Sequence, residues 1–178
     1  MTQEDHNRTV KSGFLGGLLF TLAILVGFFL IIPRMDDDPG IAGRLRLAVE
    51  CSIFPGLLFL LMILRVGSQR FGNAAEDPTK VMASTEGMKV DLRVLSNTQE
   101  QLILFLINTL GLSVLLPFGY LSLLPAYSAL FVAGRIIYWV GYRKSALLRG
   151  PGFAMGILPA GLGLLYCAFA VVFRTGAF

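Results

Sequence analysis

Polar and apolar positions alternate in blocks far too long for a soluble helix or strand. After a polar stretch at residues 1–13, Phe14 to Ile32 runs without a charge. At 1.5 Å per residue such a run crosses the ~30 Å hydrocarbon core of a bilayer. It exceeds the apolar core of a signal peptide, and the IIPRMDDD that follows offers no small-residue cleavage pattern, so it reads as a retained span. Pro33, Asp36–Asp38 and Pro39-Gly40 make a polar turn. A second span is expected from Ala48 to Val66, with Glu50 and Arg65 near its ends and Pro55-Gly56 inside as a possible kink. Residues 67–92 form the longest polar segment.

From Gln101 to Gly134 no charge occurs, too far for one helix. Pro117-Phe118-Gly119 is the natural break. The pattern therefore predicts a third span from about Leu92 to Leu116 and a fourth from about Leu121 to Tyr142. A basic loop, RKSALLRG, leads to a fifth span from about Pro151 to Phe173, with proline at the start of the helix.

Composition agrees with the blocks. The chain is 55% apolar and 15% charged, with a mean hydropathy of +0.72. Soluble chains carry roughly 25% charged residues. The fold class is thus all-α integral membrane, with five crossings. The net charge of +4 does not indicate nucleic acid, because the basic residues flank apolar runs and no basic helix is present. Cys51 and Cys167 read as small buried hydrophobes, and His6 stands alone, so no metal site is expected.

Loop charges give an orientation. One side receives Arg8, Lys11, Arg70, Lys80, Lys89, Arg143, Lys144 and Arg149; the other receives only Arg34, Arg44, Arg46 and Arg174. The positive-inside rule puts the N-terminus in the cytoplasm and the C-terminus on the opposite side.

Two columns of polar residues stand out. Arg93, Asn97 and Glu100 are spaced i, i+4, i+7 and share one helix face. They offer a guanidinium, an amide and a carboxylate, suited either to a zwitterionic ligand or to a network that glues helices together. Arg135, Tyr138 and Tyr142 share a second face, which Arg149 joins if the helix continues that far.

R-x-x-x-N-x-x-E at 93–100 followed by R-x-x-Y-x-x-G-Y at 135–142 resembles the MAPEG family, the membrane-associated proteins of eicosanoid and glutathione metabolism. Residues 138–149, YWVGYRKSALLR, are especially similar to the leukotriene-forming, glutathione-conjugating synthases. The resemblance covers roughly residues 48–173. It implies a MAPEG-like four-helix bundle at 48–178, with residues 1–47 supplying a tail, an additional transmembrane helix and a linker. It also implies a homotrimer with glutathione as co-substrate, bound between subunits. On this resemblance Arg93, Asn97, Glu100, Tyr138, Tyr142 and Arg70 (or, alternatively, Arg65) hold glutathione, and Arg149 faces its thiol as the catalytic residue. The family's Glu-Arg pair before the third helix reads Met88-Lys89 here. The implied function is a glutathione-dependent membrane transferase or peroxidase acting on a hydrophobic electrophile. The alternative on the same fold is a noncatalytic lipid-binding or scaffold protein.

Overall fold

A computed structural model describes residues 3–71, 85–144 and 146–173. The side chains of residues 3–10 and 146–148 lie outside that description, so His6 and Arg8 are not placed; nor are Lys80 and Arg174. The described chain forms five helices: α1 (Gln3–Ile31), α2 (Gly40–Arg70), α3 (Glu86–Leu115), α4 (Leu123–Lys144) and α5 (Ala146–Phe173), with one 3-10 turn at Phe118–Tyr120 before α4. All five are long and apolar enough to cross a membrane. The chain is an all-α integral membrane protein, a four-helix bundle with one further helix at its N-terminal side.

The helices overrun the apolar runs that predict them. Glu86 to Asp91 belong to α3, so its polar column lies in the second turn and beyond rather than at the opening. The reason is local: Thr85 caps the helix, its side chain accepting a hydrogen bond from the Met88 amide at 3.3 Å, with Glu86 in the first turn. Likewise α2 begins at Gly40, whose positive φ of 68° suits a residue without Cβ.

Pro151 does not open the fifth helix as expected. Helix α5 starts at Ala146, and Pro151 and Pro159 both lie inside it. Polar side chains of the neighbouring helices donate to the α5 backbone close to both prolines: Arg135 to the Gly152 carbonyl and Asn108 to the Pro159 carbonyl. The break at Pro117 occurs as the sequence predicts, with α3 capped at Leu116.

Lipid is as apolar as leucine, so helices in a membrane associate through close packing and polar contacts rather than through hydrophobic burial. Helix α5 supplies the close packing. A Cβ at Gly152 would lie 2.6 Å from the Gly134 carbonyl oxygen and 2.7 Å from the Tyr138 Cα, so α4 and α5 touch backbone to backbone there. On its other side α5 meets α1: a Cβ at Gly17 would lie 2.6 Å from the Pro151 Cα. The additional helix is therefore seated on the bundle.

Polar contacts secure both ends. At one end the linker after α1 docks on the α3–α4 turn. The Met35 amide donates to the Gly119 carbonyl, and the Ser122 hydroxyl donates to the Pro33 carbonyl at 2.7 Å. Arg44 pairs with Asp38 at 2.9 Å and donates to the Leu116 carbonyl at 2.8 Å, placing a cation at the negative end of α3. Those hydrogen bonds from Arg44 hold the Asp38 carboxyl below its ordinary range.

At the opposite end Asp91, 3% exposed, is the hub. It accepts from the Trp139 indole at 3.0 Å, from the Gln69 amide and from Arg143, with Arg65 at 3.6 Å. Three hydrogen-bond donors and the nearby Arg65 cation, all from α2 and α4, thereby compensate one carboxylate of α3. Arg143, read from the sequence as an orientation charge, is also held by this hub.

Candidate functional site

The site is built where α3, α4 and the start of α5 meet, on the Asp91 side of the bundle. Helix α3 presents two faces there. Its inward residues are Met88, Asp91, Val94, Thr98, Gln101, Phe105 and Asn108, stepping by three or four as a buried helical stripe does. Its outward side carries Arg93 and Glu100, both exposed. Asn97 sits at the margin between the two and is half-buried.

Arg135 of α4 is fully buried. Its Nη1 donates to the Asn97 Oδ1 at 2.9 Å and its Nη2 to the Gly152 carbonyl at 2.7 Å. Its guanidinium lies 4.8 Å from the centre of the Tyr138 ring and 5.9 Å from that of Phe131. Among the described residues no carboxylate pairs with it, so neutral dipoles and two aromatic faces carry this charge. An arginine has no acceptor, and Asn97 must turn its carbonyl oxygen toward Arg135. The amide NH2 of Asn97 is left for another partner.

Beyond Arg135 the inward stripe is polar but poorly satisfied. Both polar atoms of the Gln101 amide, the Thr98 hydroxyl and the Arg135 Nε are buried without a hydrogen bond among the described residues. The amide of Gln101 and the Arg135 guanidinium lie against Gly156, where a Cβ would collide with the amide and approach the guanidinium to 3.1 Å. Glycine at 156 makes the room that these two long side chains occupy.

Tyr138 is buried and meets the half-buried Tyr142 edge-on, with 5.6 Å between ring centres. Arg149 is half-buried, its guanidinium 5.2 Å from the centre of the Tyr142 ring. Helix α4 does not persist to residue 149, as the column reading requires; it ends at Lys144 and Arg149 belongs to the first turns of α5. Helix α5 packs along α4 and nevertheless sets Arg149 against Tyr142. Both Arg149 and Glu100 lie within electrostatic range of the Tyr138 phenol.

The structure thus brings Asn97, Glu100, Tyr138, Tyr142 and Arg149 around one end of the α3–α4–α5 contact. Arg70 is not part of that group in a single chain: it is exposed in the last turn of α2. Arg65, its alternative, belongs to the Asp91 hub. Arg93 faces outward, and among the described residues neither Arg93 nor Glu100 forms a hydrogen bond or ion pair. The self-satisfied Arg–Asn–Glu network is therefore not what holds α3 in place.

Asp91, Thr98, Gln101 and Asn108 lie outside both columns. For the last three the residue pattern holds a signal: uncharged amides and hydroxyls at helical spacing inside a membrane run mark an interhelical face. Cys51 and Cys167 are buried free thiols, as their apolar surroundings imply.

Comparison with known proteins agrees with this architecture. The chain is 26% identical to transmembrane protein 79 of Mus musculus over 143 residues, which is 80% of this chain and 36% of that protein. It is 28% identical to transmembrane protein 79 of Bos taurus over 157 residues, 88% of this chain and 39% of that protein. The chain spans under two-fifths of the length of these relatives. The model of the MAPEG family matches residues 49–169, which takes in α2 to α5 and both arginine-led columns, and the chain belongs to that family.

Proposed function

We propose that this chain binds glutathione beside Tyr138 and uses it in a transferase or peroxidase reaction on a hydrophobic electrophile drawn from the bilayer. The observation that carries the reading is the gathering of an amide, a carboxylate, a second phenol and an arginine near Tyr138, at one end of a bundle of this family. In this reading Glu100 receives the ammonium of the tripeptide. Arg93 and Arg70 receive its carboxylates, and the NH2 of Asn97, turned outward by Arg135, donates to the same ligand. Arg93 and Glu100 lie on the outer surface of a single chain, which suits a homotrimer whose neighbouring subunit closes the site. The cytoplasm lies on the Asp91 side in this reading. Cysteines placed at Asp37 and Gly87 then label from opposite faces of sealed vesicles; labelling of both from one face removes the orientation.

Arg149 acts on the thiol. A free cysteine thiol has a pKa of about 8.5, so only a few per cent is thiolate at neutral pH. Lowering that value by ~2 units takes about 2.7 kcal/mol of differential stabilisation. A fixed cation at a half-dehydrated position supplies attraction of that order, and arginine does not lose its proton in doing so. The neutral Tyr142 hydroxyl contributes less.

The experiment is glutathione binding to the purified protein, followed by calorimetry and by thiolate absorbance in the ultraviolet against pH. Arg149→Ala raises the pKa of the bound thiol and abolishes conjugation while binding persists; Arg93→Ala weakens binding. An unchanged thiol pKa in Arg149→Ala removes the catalytic assignment. The second reading, a noncatalytic lipid-binding or scaffold protein on the same fold, is favoured by Met88-Lys89 standing where the family has its Glu-Arg pair. Glutathione binding without thiolate formation selects it.

A further inference from the structure

Helix α5 is gripped on two opposite faces soon after it begins. Gly150 and Gly152 are two residues apart, about 200° around a helix. On one face a Cβ at Gly152 would lie 2.7 Å from the Tyr138 Cα of α4. On the other, a Cβ at Gly150 would lie 2.9 Å from the Gly13 carbonyl carbon of α1 and 3.0 Å from the Phe14 nitrogen. A Cβ at Gly17, one turn further along α1, would lie 2.6 Å from the Pro151 Cα. Helices α1 and α5 are thus in backbone contact, and the contact falls on the two residues that follow Arg149.

That place is the weak point of α5. Pro151 has no N–H, so the helix loses the hydrogen bond that residue 151 would donate to the carbonyl of residue 147. Gly150 has no Cβ to restrict its backbone and, after proline, is the residue least suited to a helix interior. The first turn of α5, which carries Arg149, is therefore joined to the rest of the helix by a step that its own hydrogen bonds hold poorly. Arg149 is nevertheless half-buried, 5.2 Å from the centre of the Tyr142 ring. Helix α4 holds α5 at Gly152, beyond the step; α1 holds the step itself. A line of rings carries the contact on to the site. Phe14 of α1 lies 6.0 Å from Phe153, Phe153 lies 6.3 Å from Tyr138, and Tyr138 lies 5.6 Å from Tyr142.

We propose that α1 is a positioning clamp for Arg149: Gly13, Phe14 and Gly17 press the Gly150-Pro151 step of α5 toward α4 and so hold the guanidinium against Tyr142. Its consequence for chemistry rests on the proposed function, in which Arg149 acts on the glutathione thiol. Arg93, Asn97 and Glu100 lie on α3 rather than at the α1–α5 contact, so the clamp governs the thiol and not the affinity for glutathione. Helix α1 precedes residues 49–169, which the family model matches, so the clamp is not part of the matched bundle.

The test compares neighbouring glycines in the full chain, in phosphatidylcholine nanodiscs. Gly17→Leu drives a side chain into Pro151. Gly16→Leu puts the same side chain where no atom lies within 4 Å, and controls for helix propensity and hydropathy. Phe14→Ala removes a ring contact at an exposed position without overpacking, and gives the same changes at smaller size should Gly17→Leu not fold. Without glutathione, hydrogen exchange at the Gly150, Gly152 and Phe153 amides, the first able to bond back within α5, quickens about tenfold in Gly17→Leu and not in Gly16→Leu. With glutathione, Gly17→Leu raises the pKa of the bound thiol by about 1 unit, a tenfold loss of thiolate below that pKa, while affinity stays within about twofold. In an Arg149→Ala background Gly17→Leu adds no further shift, because the two act through one group. Unchanged exchange in Gly17→Leu overturns the clamp, whatever glutathione does. So does an equal effect of Gly16→Leu, or an additive shift in the double variant, which means a general loosening of the bundle. Exchange that responds as expected in a chain that forms no thiolate supports the clamp and removes only the catalytic assignment of Arg149.

Discussion

The two faces of α3 carry polar groups of opposite kinds. The outward face bears full charges, Arg93 and Glu100, in positions that α2, α4 and α5 leave open. Beyond Asp91, whose charge its own partners hold, the inward face bears Thr98, Gln101 and Asn108, uncharged and enclosed, with Gln101 beside the buried cation Arg135 at Gly156. A charge on the outside of a membrane bundle has no packing role to play in its own chain, and its presence points to a ligand or to a second chain. An amide on the inside holds helices together, and its cost depends on whether its partners are in place. The difference between exposed charge and enclosed amide is thus a difference between function and architecture, and substitutions on each face separate the two.

The largest effect falls where the inward face meets α5. Gly152→Ala forces a Cβ into the backbone of Gly134 and Tyr138, which has no rotamer with which to yield. It lowers stability by about 3 kcal/mol, the upper part of the overpacking range. The thermal midpoint in detergent falls accordingly; an unchanged midpoint means that α4 and α5 are not in backbone contact.

Arg135→Met comes next. It strands the Asn97 Oδ1 and the Gly152 carbonyl, and each unsatisfied group costs about 1–3 kcal/mol, offset in part by no longer burying a charge. A net loss of about 2 kcal/mol is expected. The double variant Arg135→Met with Asn97→Val recovers part of it, and full additivity in that cycle argues against the 2.9 Å contact.

Gln101→Leu goes the other way. Both polar atoms of this amide are buried without partners, so an apolar side chain of similar volume raises stability by about 1 kcal/mol. A lowered midpoint identifies a buried water or a ligand on Gln101 and turns the inward stripe into a site.

The smallest effect on stability belongs to the outward face. Arg93→Ala and Glu100→Ala change stability by no more than about 0.5 kcal/mol, yet on the proposed function each weakens glutathione binding. A large loss of stability in either one removes the contrast between the two faces.

The five crossings, the break at Pro117 and the membership of both columns in helices were legible in the residue pattern, because a bilayer imposes length and composition on whatever crosses it. Helix ends were not legible to the same degree. Glu86 and Ala146 lie beyond the apolar windows, where capping and the α4–α5 turn rather than hydropathy decide the boundary. For the site, helical spacing announced Arg93, Asn97 and Glu100 as a column but carried no information about which way the column faces. Arg149 was named as a neighbour of Tyr142 on the assumption of one continuous helix. It reaches that neighbour instead from a separate helix packed along α4, a geometry that periodicity does not encode.

By itself, then, the sequence determined the solvent of this protein, the number of its crossings and its family, since each rests on local composition and short motifs. Only the tertiary structure decided that Arg135 is enclosed while Arg93 is open, that Asp91 gathers Gln69, Trp139, Arg143 and Arg65, and that α1 seats on α5 where Gly17 meets Pro151. Those outcomes depend on which helices lie side by side. Glycines 17, 152, 156 and 163 settle that by letting α5 approach its neighbours closely enough for long polar side chains to be enclosed.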